Sequence, residues 1–251
     1  MFSIVTVSFN SGETIRKTIE SVLCQTFREF EYIIVDGGST DNTIALIRSY
    51  TGISKLISES DRGIYDAMNK GISFSTQPFL IFLNSDDSFY DDKVLEKLSN
   101  SMNVSDSNTI YYTDYVKIFH NKSLEVKVQK NLSIRSFYFK QPINHQSTIF
   151  PRNVFGRVGP YDINVGNAAD YCWFVKSFDT GIKYSYLPVT TSLFDMAGVT
   201  STSLFKNYLT RTTIALAYFP FWIKARYILL MPYFFVKFRL LRLIQSLRRG
   251  F

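Results

Sequence analysis

Four apolar runs in the first 84 residues each end in polar or acidic residues, with helical spacing between them. Residues 2–9, "FSIVTVSF", are rich in β-branched and aromatic side chains and read as a buried strand. In "SGETIRKTIESVLCQ" the residues Ile15, Ile19, Val22 and Leu23 fall on one helix face, with Ser11 as a weak cap and Glu13 in the first turn. "FEYIIVD" is a second strand ending on Asp36, and "GGSTDNT" is a turn. "TIALIRSY" is a helix with Ile44 and Ile47 inward, and "SKLISES" is a short third strand. "DRGIYDAMNKGI" starts a helix with Ile64, Met68 and Ile72 spaced by four, and "PFLIFLN" is a fourth strand. This alternation predicts an α/β fold with a mostly parallel central sheet flanked by helices.

After residue 100 the pattern changes. "TIYYTDYVKIF" and "SLEVKVQ" read as strands of a hairpin or meander, and "DYCWFVKSF" reads as a helix. Domain boundaries follow: one unit over 1–203, with a ligand-binding half at about 1–100 and a second half at 101–203, then an appendage over 204–251. The 251 residues suffice for one large domain plus such an appendage. Cys24 and Cys172 stand far apart without a CxxC motif, and no leader pattern opens the chain, which points to a reducing, cytoplasmic setting.

Open parallel sheets bind ligands outside the carboxyl ends of their strands. Ser8 to Asn10, Asp36, Glu59 to Arg62 and Asn84 to Asp87 all fall there. One acid at a strand end is as readily a helix cap, but three on one rim favour a site. The first turn, "SFNSGE", lacks both the dinucleotide and the Walker glycine patterns. Carboxylates suit base N–H groups, ribose hydroxyls or a hard cation that holds phosphates. Together they describe a nucleotide diphosphate with Mg²⁺ or Mn²⁺, with Phe9 placed either to stack on the base or to pack in the core. Arg62 suits phosphate oxygens, or is a surface arginine. Asp66 and Lys70, four apart, read as a solvated pair.

"VTVSFNSGETIRKTIESVLCQTF", "EYIIVDGGSTDNT", "SESDRGIYDAMNKGI" and "FLNSDD" together resemble family 2 glycosyltransferases of the A-type fold over about residues 1–200. The "DRGIYDAMNKG" form is similar to bacterial enzymes of capsule, O-antigen or exopolysaccharide synthesis. The resemblance implies a nucleotide-diphospho-sugar transferase of hexosyltransferase type. It would move a sugar from a nucleotide-sugar, UDP first, to an acceptor hydroxyl with inversion. By position it implies that Phe9 stacks on the base, Asp36 binds it, and Asp61, Arg62 and Asn84 serve the donor. The family's D-x-D pattern falls on Asn84 and Asp86, so Asp86 becomes the ligand of Mn²⁺ or Mg²⁺ and Asn84 adds no charge.

An inverting displacement needs a base for the acceptor hydroxyl. The family's "ED" pair aligns with Ala169-Asp170, which nominates Asp170 over Asp162, and Asp170 also suits an N-cap. "NHQST" resembles an acceptor-side segment, with His145 near the acceptor or leaving group, or purely structural. His120 reads as a turn residue. Ala197-Gly198-Val199-Thr200 matches a late loop that would close over the diphosphate.

Residues 206–251 carry nine Lys/Arg and no acid. The stretch 214–236 is apolar and aromatic but broken by Pro220, Lys224, Arg226 and Pro232, which argues against a spanning helix. Amphipathic helices lying on a membrane surface fit better, or helices packed on the body or a second copy. The expected partners are a nucleotide-sugar, a glycan or lipid-linked glycan, and the inner face of the cell membrane, with no nucleic acid. Two other readings stand beside this one: a metal-dependent nucleotidyltransferase, which would want a basic glycine-rich loop after the first strand, and a non-catalytic lipid- or nucleic-acid-binding relative using the basic tail.

Overall fold

A computed structural model of the chain describes residues 1–119, 122–196, 204–230 and 232–233, the side chains of 204–208 excepted. Two compact units result, Met1–Gly198 and Val199–Phe251. In the first, β1 (Phe2–Ser8), α1 (Ile15–Leu23), β2 (Phe30–Asp36), α2 (Thr43–Arg48), β3 (Lys55–Ser58), α3 (Ile64–Phe74) and β4 (Phe79–Phe82) follow one another. Then come β5 (Ser88–Phe89), α4 (Val94–Ser101), β6 (Thr109–Phe119), β7 (Lys122–Val126), β8 (Thr148–Pro151), α5 (Val154–Val158), α6 (Ala169–Ser177) and β9 (Lys183–Asp195). Short 3₁₀ turns at Ile134–Phe137, His145–Ser147 and Ile163–Ala168 join the later elements.

One sheet runs in the order β3-β2-β1-β4-β8-β6-β9-β5, with β7 on β6. The β3-β2-β1-β4 half is parallel, as the alternating pattern demands. β8 joins β4 and β6 antiparallel, and β9 runs parallel to β6 but antiparallel to β5. The second half is therefore mixed, and it is the half where the periodicity breaks.

β1, β4 and most of β2 are covered on both faces and are largely apolar, whereas the edge strand β3 is half exposed. Phe2, Ile4, Tyr32, Ile34 and Ile81 share a cluster with Ile15, Ile19 and Val22 of α1 and with Val94, Leu95 and Leu98 of α4. Each such aliphatic side chain contributes roughly 1.5–3 kcal/mol when fully buried. The other face of β4 and β8 carries an aromatic core of Phe82, Phe150, Phe155, Tyr161 and Trp173, where Phe155 and Trp173 lie 4.9 Å apart.

Some local expectations change. Thr14, not Ser11, stands at the N-cap of α1 and makes no side-chain cap bond; the Ser11 carbonyl accepts from the N–H groups of Thr14 and Ile15 instead. α3 buries Tyr65, Ala67, Met68 and Gly71, while Ile64 is exposed. The inward stripe is rotated by about one residue because α3 lies so close to β1. A Cβ on Gly71 would stand 2.3 Å from Val5 Cγ1. We expect Gly71→Ala to lower stability by about 1–3 kcal/mol through forced separation of α3 from β1. Thermal unfolding measures this directly, and an unchanged Tm would show that the helix can shift freely.

In the second unit, α7 (Leu204–Tyr218) ends before Pro220, whose carbonyl accepts from Ile223 and Lys224 N–H to start a further helical segment over 221–230. Proline suits such a start because it has no N–H to satisfy. Among the described residues no helix is long and apolar enough to cross a membrane.

Candidate functional site

The parallel register aligns Ser8 with Asp36 and Asp36 with Ser58, so the carboxyl ends of β1, β2 and β3 form one rim. β4 continues it through Leu83 N–H to Val5 O (2.9 Å) and Ser85 N–H to Val7 O (3.2 Å). The rim loops are zipped together. Asn10, in the left-handed region at φ 48°, donates its N–H to Ser39 Oγ (2.8 Å), and its Oδ1 accepts from Thr40 N–H (2.9 Å). Ser11 Oγ meets Ser85 Oγ at 2.7 Å, tying the first loop to the fourth.

Asp36 is fully buried. Oδ1 accepts from the hydroxyls of Ser8 (3.1 Å) and Ser39 (2.5 Å), and Oδ2 from Gly38 N–H (3.0 Å), Ser39 N–H (2.8 Å) and Ser58 Oγ (3.1 Å). A carboxylate with five internal donors is satisfied within the chain. These donors fix the turn beside the rim, so a base bound by Asp36 would share an oxygen that already accepts within the chain. Asp61 packs against that turn, since a Cβ on Gly37 would lie 2.4 Å from Asp61 Oδ2. Glycine at 37 leaves room for this carboxylate.

Phe9 is 61% exposed on the rim, so it is not a core residue. Arg62 is exposed and pairs with Asp66 at 3.6 Å, while Lys70 pairs with Glu59 at 2.9 Å. The anticipated Asp66–Lys70 pair is thus replaced by two pairs that reach back to the loop before α3. Their exposed partners make each worth little to stability.

The turn after β4 separates two adjacent acids. Asp87 is fully buried: Oδ2 accepts from Gln146 Nε2 (3.0 Å), Oδ1 from Asp195 N–H (3.0 Å), and its carbonyl from Thr18 Oγ1 (2.6 Å). It is a structural knot of α1, the 145–147 turn and β9. Asp86 is half-buried, and burial pushes its carboxyl up, with the charge of Asp195 adding to the rise. Asn84 Oδ1 beside it is buried with no hydrogen-bond partner. One carboxylate and one orphaned amide oxygen form an oxygen-only donor set, which fits a hard cation that keeps waters and shares substrate phosphates. Among the described residues no group of three or more His, Cys, Asp or Glu could hold a metal by itself.

Asp170 comes from the first turn of α6. It is not the N-cap; Ala168 is, without a side-chain bond. The Asp170 carboxylate is 6% exposed. Oδ2 accepts from Gln141 Nε2 (2.7 Å) and faces His145 Nδ1 (3.2 Å), and Oδ1 accepts from Tyr171 N–H (2.7 Å). Across the ring, His145 Nε2 lies 3.4 Å from Asn84 Nδ2. A proton on Nδ1 donates to Asp170, and Nε2 faces the Asn84 amide. Burial alone would push the Asp170 carboxyl up. The hydrogen bond and charge of His145, with Gln141 and the Tyr171 N–H, outweigh it and hold the carboxyl below its ordinary value. His145, Asp170 and Asn84 are therefore one hydrogen-bonded chain leading to the rim beside Asp86. Asp162 lies apart from it and accepts from Asn164 N–H.

Two residues of this arrangement escape a reading of the sequence. Gln141, in "KQPIN", has no motif to mark it. Asp87 sits in the right motif, but adjacent positions in a turn give no sign of which carboxylate is buried. His120 and the loop Ala197-Gly198-Val199-Thr200 lie outside the described residues.

The profile of Glycosyl transferase family 2 matches residues 3–160, which carry this rim and the 145–147 turn. The chain belongs to glycosyl transferase family 2. A PGL/p-HBAD biosynthesis glycosyltransferase of Mycobacterium tuberculosis is 28% identical over 217 residues, covering 84% of this chain and 83% of that relative. An uncharacterized glycosyltransferase of the same species is 34% identical over 182 residues, covering 70% and 68%. Among solved structures, S. aureus TarS 1-349 in complex with UDP-GlcNAc superposes with a TM-score of 0.70 at 16% identity, over 93% of this chain and 71% of that one. This chain spans 39% of the longer TarS chain. A Pyrobaculum calidifontis mannosyltransferase in complex with GDP-Man and Mn²⁺ gives a TM-score of 0.59 at 18% identity, over 86% of this chain and 61% of that one. These structural likenesses establish the A-type fold, and the family establishes a glycosyltransferase with relatives in glycan biosynthesis.

Proposed function

We propose that this family 2 glycosyltransferase moves a sugar from a nucleotide-sugar, a UDP-sugar first, to an acceptor hydroxyl with inversion at the anomeric carbon. The observation that carries the reading is the chain from Asp170 through His145 to Asn84, which joins a buried, ionised carboxylate to the strand-end rim. Phe9 stacks on the base, Asp61 and Arg62 serve the ribose and diphosphate, and Asp36 holds the turn beneath them. Asp86 and Asn84 Oδ1 would hold a divalent cation, Mn²⁺ or Mg²⁺, which when bound offsets charge gathering on the leaving diphosphate. The acceptor oxygen bonds to the anomeric carbon as the bond to the diphosphate oxygen breaks on the opposite face. The hydroxyl proton passes to Asp170. Oδ1 is the better-placed oxygen, since Oδ2 already has two side-chain partners.

The preference for UDP draws on the UDP-GlcNAc complex of TarS, and the Mn²⁺ on the mannosyltransferase complex. Calorimetry with UDP-, GDP- and dTDP-sugars, with and without Mn²⁺, tests both, alongside donor hydrolysis. Tight binding of one nucleotide class with metal-dependent turnover is expected; no binding of any would overturn the reading.

We also propose a lipid-linked glycan acceptor of surface polysaccharide synthesis, met at the membrane surface through 204–251. Phe221, Trp222, Leu229 and Tyr233 are exposed there near Lys224 and Arg226, a mixture that suits an interfacial position. Residues 234–251, which carry much of the basic charge, lie outside the described residues. Deleting 204–251 should move the enzyme from the membrane pellet to the supernatant of a fractionated cell. Unchanged pelleting would assign the segment to packing or self-association.

A further inference from the structure

A groove of about 560 Å³ opens on the loop between β7 and β8, lined by Gln129, Ser133, Arg135, Ser136, Phe139 and Lys140. Its wall is fastened to the turn of α6 that carries the proposed base, on both sides of Phe139 and Lys140. On one side Tyr171 Oη donates to the Phe137 carbonyl at 2.5 Å. On the other, Gln141 donates to Asp170 at 2.7 Å. Lys140 is thus the chain neighbour of a residue hydrogen-bonded to Asp170, and consecutive Cα atoms are about 3.8 Å apart. The groove wall thus continues directly into the residue that holds the proposed base.

Its charge is unbalanced. Neighbouring cations of the same loop are already engaged: Lys127 pairs with Asp114 (3.1 Å) and Glu125 (2.5 Å), and Lys130 lies over the Tyr186 ring. Arg135 and Lys140 are exposed and have no acidic partner among the described residues. Phe139 belongs to the same wall. Two cations without acidic partners among the described residues, with hydroxyl groups in a cleft of this size, make a complement for an anionic saccharide or saccharide phosphate.

We infer that this groove binds the acceptor, and that the acceptor carries a phosphate or carboxylate within a few sugars of the accepting hydroxyl, held by Arg135 and Lys140. The inference rests on the transferase reading above and names its acceptor class. The anion has two sources, a lipid phosphate or an acidic sugar.

The test uses the full-length protein saturated with UDP and Mn²⁺, so that phosphate probes cannot occupy the donor site. Farnesyl phosphate, tri-galacturonate and neutral maltotriose are titrated by calorimetry into wild type and into the Arg135→Ala/Lys140→Ala double variant. We expect at least one anionic probe to bind wild type more tightly than maltotriose, and to lose roughly tenfold or more in the variant and at high salt. Preference for farnesyl phosphate assigns the charge to a lipid, and preference for tri-galacturonate to an acidic sugar; either supports the groove. Anionic probes that bind no better than maltotriose, or equally well to both proteins, would overturn it. UDP affinity separates the two proposals. Wild type that binds UDP but shows no anion preference loses only the groove, whereas wild type that binds no nucleotide loses the transferase reading and the groove with it. Unchanged UDP affinity of the variant shows that it is folded. Charge reversal to Glu at both positions should deepen the loss for the same probes.

Discussion

Asp170→Asn should lower kcat by about a hundred- to ten-thousandfold, the range that a positioned general base supplies. UDP affinity should stay within about twofold of wild type, because no donor-side residue is altered. The amide is isosteric but cannot take the hydroxyl proton. It also presents an N–H where Gln141 and His145 meet Oδ2, so some local loss is expected as well. A pH profile separates chemistry from disorder. A base works only when ionised, and the Asp170 carboxyl lies below its ordinary value of 3.8. The acid limb it imposes on kcat/KM should therefore lie below the ordinary carboxylate range, leaving activity flat with respect to this group near neutrality. His145→Gln removes the two largest contributions that lower the Asp170 carboxyl. The limb should then move to higher pH. The sign for stability is the same: a depressed carboxylate stabilises the fold above its unfolded value and ceases to do so as pH falls through the folded one. Full transfer by Asp170→Asn, or an acid limb unmoved by His145→Gln, would take the base role away from Asp170.

Asp86→Asn should cost about a hundredfold or more in metal-stimulated transfer, since the substitution deletes the one charged oxygen offered beside Asn84. Stability should hold or rise by a few tenths of a kcal/mol, because a desolvated charge next to Asp195 is removed. Its neighbour behaves oppositely. Asp87→Ala strands the Gln146 amide and the Asp195 N–H in the interior, so it should destabilise by about 2–5 kcal/mol, as a broken buried network does. Calorimetric Mn²⁺ titration in the presence of UDP, paired with thermal unfolding, reads both variants. Normal Mn²⁺-dependent transfer by Asp86→Asn would move the metal role elsewhere on the rim.

The parallel half of the sheet was legible from the chain because both faces of its central strands are buried. Continuous apolar strands alternating with long crossovers admit few other folds, and strands running in one direction bring Ser8, Asp36 and Asn84 to one edge. Motif position alone named Asp86, Asp170 and His145 as candidates. Tertiary structure decided which partners each side chain meets. A carboxylate looks the same in sequence whether five donors surround it, as at Asp36, or almost none do, as at Asp86. The face of α3 followed from how closely Gly71 meets Val5, a distance that no periodicity contains. The link from Asp170 through His145 to Asn84 joins residues 25 and 61 positions apart, and the charge of the groove between β7 and β8 depends on which lysines of one loop already have partners. Local spacing encodes which surfaces are apolar. Only the packed chain determines which polar atoms are left without one another, and those atoms make the site.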